Sequence, residues 1–217
     1  MSETLNIYET FSSIQGESTH AGRLCFFIRL AGCNLRCSYC DTKKAQTMNS
    51  GSPRTLDELV GEAEKSGLKL VEITGGEPML QSATPELCRR LLARGFEVLM
   101  ETNGSVDISP LPAGVKRIVD WKTPFSGESA RMLDSNFRSL RPGDEVKFVI
   151  ANRADYDAAL DVVRRFDIAA HATVLFAPVF GEIEPRTLVE WMLADRAPAR
   201  LNLQFHKIVW SPDAEGV

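Results

Sequence analysis

The run Cys25-Phe26-Phe27-Ile28-Arg29-Leu30-Ala31-Gly32-Cys33-Asn34-Leu35-Arg36-Cys37-Ser38-Tyr39-Cys40 leads an apolar strand pattern straight into a loop with three cysteines. Thiolates are the usual protein ligands of iron–sulfur clusters, and a fully protein-ligated site uses four of them. Three on one short loop can hold three irons of a four-iron cube and leave the fourth open to an exogenous ligand. Close cysteines can also serve a closed zinc site, with Cys25 or His20 as fourth ligand, form a disulfide, or pack as small hydrophobes. The chain opens Met1-Ser2-Glu3-Thr4-Leu5-Asn6 without an apolar signal core, and no run is long enough to span a membrane. The expectation is a cytoplasmic protein whose cysteines stay reduced.

The 217 residues, 44% of them hydrophobic, fit one domain over 1–217 with a sizeable core. Net charge is −4, from 25 basic and 29 acidic residues, and no basic run is present to neutralise a phosphate backbone. Direct nucleic-acid binding and membrane association are therefore not expected. Neither a low-complexity tract nor a fixed-period repeat is present, which removes solenoids and disordered scaffolds from consideration.

Outward from the opening run, short β-branched stretches alternate with amphipathic helical patterns, the signature of parallel strands joined by crossover helices. The pattern predicts strands at Cys25–Leu30, Leu68–Thr74, Phe96–Thr102, Arg117–Trp121, Glu145–Ile150, Thr173–Phe176 and Leu201–Phe205. It predicts helices at Leu56–Ser66, Pro85–Arg94, Arg153–Phe166 and Pro185–Leu193. Thr55 with Glu58 reads as a capping box, Thr84 as a cap before Pro85, and Pro185 as a first-turn proline. With fewer helices than strands, a complete eight-fold barrel is excluded and a partial, open parallel β/α barrel is expected.

In such sheets the site lies just beyond the carboxyl ends of the strands. Those positions read Arg29-Leu30-Ala31-Gly32-Cys33, Thr74-Gly75-Gly76-Glu77-Pro78, Glu101-Thr102-Asn103-Gly104 and Asp120-Trp121-Lys122-Thr123-Pro124. Two glycines allow close backbone approach to a ligand, and the Glu77 carboxylate could hold an ammonium group. Cys25 and Cys88 fall on apolar faces and read as core.

Cys33-x-x-x-Cys37-x-x-Cys40 together with Gly75-Gly76-Glu77-Pro78 resembles the radical S-adenosylmethionine enzymes. A narrower resemblance, from about Ile7 to Pro212, comes from Phe11-Ser12-Ser13-Ile14-Gln15-Gly16-Glu17, Cys40-Asp41-Thr42 and Gln204-Phe205-His206-Lys207. Together these look like the 7-carboxy-7-deazaguanine synthase family. Ser18 departs from the pattern, since many relatives have glycine after Gln-Gly-Glu.

The resemblance implies that Cys33, Cys37 and Cys40 hold a 4Fe–4S cluster whose open iron is chelated by S-adenosylmethionine. It places Gly76, Asp120, Trp121 and Lys122 at that cofactor, and Ile14, Gln15, Gly16, Glu17, Arg29 and Thr74 at a pterin substrate. Thr42 matches the position that ligates Mg2+, with substrate oxygens and waters completing the octahedron. Amide and carboxylate groups at Gln15 and Glu17 suit the donor and acceptor edge of a pterin, and the Arg29 guanidinium suits a carboxylate. Ala177-Pro178-Val179-Phe180 reads equally as a cofactor contact or an apolar corner. His206 reads more readily as a structurally satisfied histidine.

The implied activity is that of a lyase: a 5′-deoxyadenosyl radical abstracts hydrogen from C6 of 6-carboxy-5,6,7,8-tetrahydropterin. Ring contraction and loss of ammonia then give 7-carboxy-7-deazaguanine, on the route to 7-cyano-7-deazaguanine and queuosine-type tRNA nucleosides. The implied partners are an electron donor such as flavodoxin or ferredoxin and a second copy of the chain. A glycyl-radical-enzyme activase would share the cluster loop but would need no pterin-edge loop or carboxylate clamp. A non-catalytic zinc or iron–sulfur module would leave the polar strand ends without a purpose.

Overall fold

The computed structural model describes residues 3–212, 214, 216 and 217. Its strands are β1 (Thr4–Ile14), β2 (Leu24–Leu30), β3 (Ser52–Thr55), β4 (Leu70–Gly75), β5 (Glu97–Thr102), β6 (Lys116–Trp121), β7 (Glu145–Ile150), β8 (Thr173–Pro178) and β9 (Arg200–Leu201). They form one sheet in the order β3-β1-β2-β4-β5-β6-β7-β8-β9. β1 is antiparallel to both neighbours, and every later pairing is parallel. The helices are α1 (Leu56–Ser66), α2 (Thr84–Ala93), α3 (Asp134–Arg138), α4 (Arg153–Arg165), α5 (Ile168–His171), α6 (Pro185–Asp195) and α7 (His206–Val209). This is an open, mostly parallel α/β sheet, a partial barrel as expected. No helix among the described residues is long and apolar enough to cross a membrane.

Strand alternation divides the core in two. One set of alternate residues, including Phe26, Ile28, Leu30, Val71, Ile73, Val98, Met100, Val119, Val146 and Phe148, packs outward against the helices. The helices meet it with stripes spaced by three and four, such as Leu56, Leu59, Val60 and Ala63 of α1 or Leu87, Cys88 and Leu91 of α2. Each large aliphatic or aromatic side chain among them contributes about 1.5–3 kcal/mol through burial. The other set faces inward. Cys25, Phe27, Leu70, Leu99 and Ile118 form a small apolar floor there, joined by Phe11 stacked on Phe27 at 4.8 Å between ring centroids.

Besides three short unpredicted helices, α3, α5 and α7, four differences from the sequence expectation have a local physical cause. β1 was not predicted as a strand; its hydrophobic period is broken by a bulge between Ile7 and Glu9, which turns Glu9 and Phe11 toward the partners Arg29 and Phe27. β3 contains Pro53, which only an edge strand tolerates, and its polar sequence hides it. The expected strand Leu201–Phe205 shrinks to Arg200–Leu201, because Asn202 and Gln204 spend their side chains on the loop at Glu17. Thr84 is not the cap of α2: it is the first helical residue, and its hydroxyl donates instead to the Pro78 carbonyl at 2.7 Å. The Thr55–Glu58 capping box is formed in both directions.

Candidate active site

Above the apolar floor, the next inward residue of each central strand is charged: Glu72 on β4, Glu101 on β5, Asp120 on β6 and Lys147 on β7. Lys147 Nζ donates to Glu17 Oε2 at 2.9 Å and to Glu101 Oε1, and lies 3.6 Å from Asp120 Oδ1. Burial alone would push the Lys147 ammonium down, but Asp120, Glu101 and Glu17 outweigh it and hold the pKa well above the usual lysine value. Burial likewise opposes charge on Glu101, yet Lys147 and the Thr74 hydroxyl, which donates at 3.1 Å, bring it down to about 2. Glu72 goes the other way. It is fully enclosed, and burial followed by the nearby Glu101 charge holds its pKa well above the usual carboxylate range. One layer thus holds a carboxyl that resists ionisation beside an ammonium and a carboxylate that favour each other's charge.

The loop after β1 closes over this layer. Gln15 accepts from the Glu17 amide through Oε1, and its Nε2 donates to Glu72 at 2.6 Å. Glu17 also accepts from Asn202 at 3.2 Å and Gln204 at 2.9 Å. A Cβ on Gly16 would come within 2.2 Å of His206 Nδ1, so glycine is required for that packing, and burial lowers the His206 pKa. Ser18 adopts φ 62, the left-handed conformation that makes glycine the natural residue there. Arg29 projects from β2, with Nε donating to Glu9 at 2.8 Å and its guanidinium 5.6 Å from the Phe11 centroid.

At the strand ends, Lys122 Nζ donates to Asp120 Oδ2 at 2.5 Å, while Asp120 Oδ1 is buried without a hydrogen-bond partner. Gly76 packs so tightly on the cysteine loop that a Cβ would lie 2.2 Å from the Gly32 carbonyl oxygen. Glu77 does not face the cavity as an ammonium-binding carboxylate. It is buried and accepts from Met79 N at 2.9 Å, Thr102 Oγ1 at 2.8 Å and Asn103 N at 2.6 Å, tying the end of β4 to the end of β5. Burial raises its pKa to about 7 against those hydrogen bonds.

Cys33, Cys37 and Cys40 line one cavity of about 970 Å³ together with Ile14, Gln15, Gly16, Glu17, Arg29, Thr42, Thr74, Gly76, Asp120 and Lys122. Ala177, Pro178, Val179 and Phe180 line it too. Trp121 does not. Alternation sends its ring outward onto Phe137 at 4.7 Å and Phe166 at 5.6 Å, so its side chain belongs to the core. Cys25 and Cys88 are free and fully buried, as expected of core residues. Thr42 donates to Asp41 at 3.1 Å; Asp41, although burial opposes its charge, is brought to about 2 by Lys207 and by hydrogen bonds from Lys207, Gln204 and Thr42.

The three loop cysteines are free, and among the described residues no three His, Cys, Asp or Glu side chains converge as a preformed metal cage. Burial pushes up the thiols of Cys33 and Cys37, the latter to about 11, so the loop carries protonated sulfurs that release protons on binding metal. An all-sulfur donor set suits iron–sulfur chemistry, and the orphan Asp120 oxygen beside the Lys122 ammonium suits a ligand with both donor and anionic groups.

The sequence model of the Radical SAM superfamily matches residues 27–190. A protein named 7-carboxy-7-deazaguanine synthase from Chlorobaculum tepidum is 44% identical, over 98% of this chain and 97% of its own length. One of the same name from Koribacter versatilis is 39% identical, over 98% of this chain and all of its own. The chain belongs to the 7-carboxy-7-deazaguanine synthase family. Its fold is shared with QueE from Escherichia coli, at a TM-score of 0.78 and 23% identity over 94% of this chain and 95% of that one. The cofactors of this radical SAM family are a 4Fe–4S cluster and S-adenosylmethionine.

Sequence reasoning passed over Glu9, Glu72 and Lys147, and it read Glu101 only as a strand-end position without a role. Glu72 and Lys147 stand alone as charges inside apolar strand runs, in phase with the strand-end polar residues, and that phase was the available signal.

Proposed function

We propose that this chain converts 6-carboxy-5,6,7,8-tetrahydropterin to 7-carboxy-7-deazaguanine with loss of ammonia, as a single catalytic domain over 1–217. The observation that carries the reading is the convergence on one cavity of the three cysteines, the Gln15–Glu17 loop and Arg29. When bound, the cluster and S-adenosylmethionine supply the hydrogen-abstracting 5′-deoxyadenosyl radical. Cys33, Cys37 and Cys40 would hold the cluster, and Gly76, Asp120 and Lys122 would face S-adenosylmethionine. A role for Trp121 there is confined to its backbone, since its ring lies outward.

On the substrate side, Arg29 takes the carboxylate, exchanging its pairing with Glu9. Gln15 and Glu17 present an amide and a carboxylate to the pterin edge, with Ile14, Gly16 and Thr74 shaping its seat. Thr42 would supply one hard oxygen to Mg2+, with the remaining positions left to substrate and water. Burial makes Glu72 resist ionisation, while the surrounding carboxylates favour the charged form of Lys147. The five free cysteines fit a reducing, cytoplasmic setting. A low-potential donor of the flavodoxin or ferredoxin kind and a homodimer complete the reading.

Arg29→Ala tests the carboxylate assignment. KM for the pterin should rise about 10- to 100-fold, by analogy with losing a charge-assisted hydrogen bond, with cluster content unchanged. An unchanged KM would remove Arg29 from the substrate clamp.

A further inference from the structure

The three loop cysteines sit in unequal surroundings. Cys33 Sγ accepts from Leu35 N at 3.4 Å and from Asn103 Nδ2 at 3.7 Å, whereas among the described residues no hydrogen bond reaches the sulfur of Cys37 or Cys40. The Leu35 contact is local to the loop. Asn103 comes from the end of β5, is almost fully buried, and has only one possible orientation. Its Oδ1 accepts from Ser105 N at 2.9 Å and Ser105 Oγ at 2.7 Å. A backbone N–H can only donate, so the carbonyl must face Ser105 and the NH2 must face Cys33 and Asn34 Oδ1, the latter at 3.0 Å. Asn34 closes the ring by donating to Ser105 Oγ at 2.8 Å. The Asn103 amide N is held by Glu77, whose own N–H donates to the Gly32 carbonyl at 2.8 Å, just before Cys33.

We propose that Asn103 is a tuning residue, whose side-chain N–H to the Cys33 sulfur raises the reduction potential of the cluster; this rests on the cluster reading above. An N–H donor stabilises charge on a ligating sulfur, and the cluster gains negative charge when a low-potential one-electron donor reduces it. The closed Asn103–Asn34–Ser105 ring keeps the donor aimed without any rearrangement on reduction.

The test is a redox titration of anaerobically reconstituted protein, read by the electron paramagnetic resonance of the reduced cluster, with iron and sulfide content measured alongside. Asn103→Ala is expected to keep its iron and to weaken the one-electron reduction equilibrium about tenfold, which is about 59 mV lower. Asn103→Asp, which keeps the shape but turns a carboxylate oxygen toward the sulfur, should fall further. Resonance Raman provides a second readout: the iron–sulfur stretches of the wild type should shift in D2O, and those of Asn103→Ala should shift less. Full iron with an unchanged midpoint in both variants would overturn the inference. So would loss of iron from both, which would make Asn103 a structural strut. Wild-type protein that takes up no four-iron cluster would overturn the cluster reading, and this inference with it.

Discussion

Lys147 and Phe148 are neighbours on β7 and point to opposite sides of one sheet. Phe148 joins the apolar layer under the helices, while Lys147 is enclosed by Glu17, Glu101 and Asp120. Asp120 and Trp121 repeat the contrast on β6. The outer face is filled by hydrophobic burial, which is non-directional and tolerates similar shapes. The inner face is held by charges removed from water, which are tolerable only while each has its partners. Two sides of the same strands therefore divide stability from chemistry.

The contrast breaks most sharply at β7 itself. Lys147→Met leaves buried carboxylates uncompensated and should cost about 3–5 kcal/mol, with turnover at least 100-fold lower in the fraction that folds. Phe148→Ala should cost a similar 3–5 kcal/mol through its cavity, but folded molecules should turn over within about threefold of wild type. Urea unfolding combined with assays on refolded protein separates the two, and equal catalytic losses would dissolve the division of labour. A smaller effect is expected at Glu72. Its pKa is raised in the folded state, so its contribution to stability is greatest below the unfolded value of 4.5 and falls as pH rises toward the folded value. Glu101, depressed to about 2, shows the opposite sign, losing its contribution as pH falls from 4.5 toward 2. Glu72→Gln keeps the Gln15 hydrogen bond and should gain on the wild type by up to ~1.4 kcal/mol per pH unit between 4.5 and the raised folded-state value, and no further above it. A constant difference across pH would show that Glu72 is ionised. The smallest effect is an absence of reaction. In cluster-free protein, iodoacetamide at pH 8 should label Cys33, Cys37 and Cys40, which are partly exposed, and spare Cys25 and Cys88, which are fully buried. Mass spectrometry showing early labelling of Cys25 or Cys88 would contradict their place in the core.

Much of this was legible before any coordinates. The four long helices and the central parallel strands follow from periodicity, because their outer faces obey simple burial. Every site residue the resemblance implies, except Trp121, meets in one cavity; Trp121 fails because alternation separates adjacent residues, and Glu77, read as a ligand carboxylate, is instead spent tying two strand ends together. What escaped had definite causes. β1 is disguised by its bulge, β3 by Pro53, and the last strand by amides committed to Glu17. Glu72 and Lys147 stayed hidden because they are far apart in sequence and join Glu101 and Asp120 only when four strands align.

The central claim is that the charged inner face serves a pterin rearrangement driven by the cluster loop. Anaerobic turnover of reconstituted protein with reductant, S-adenosylmethionine, Mg2+ and 6-carboxy-5,6,7,8-tetrahydropterin tests it directly, with products read by mass spectrometry. The account predicts 7-carboxy-7-deazaguanine and ammonia in equal amounts, many turnovers per S-adenosylmethionine added. Cleavage of S-adenosylmethionine to 5′-deoxyadenosine with the pterin left unchanged would contradict it.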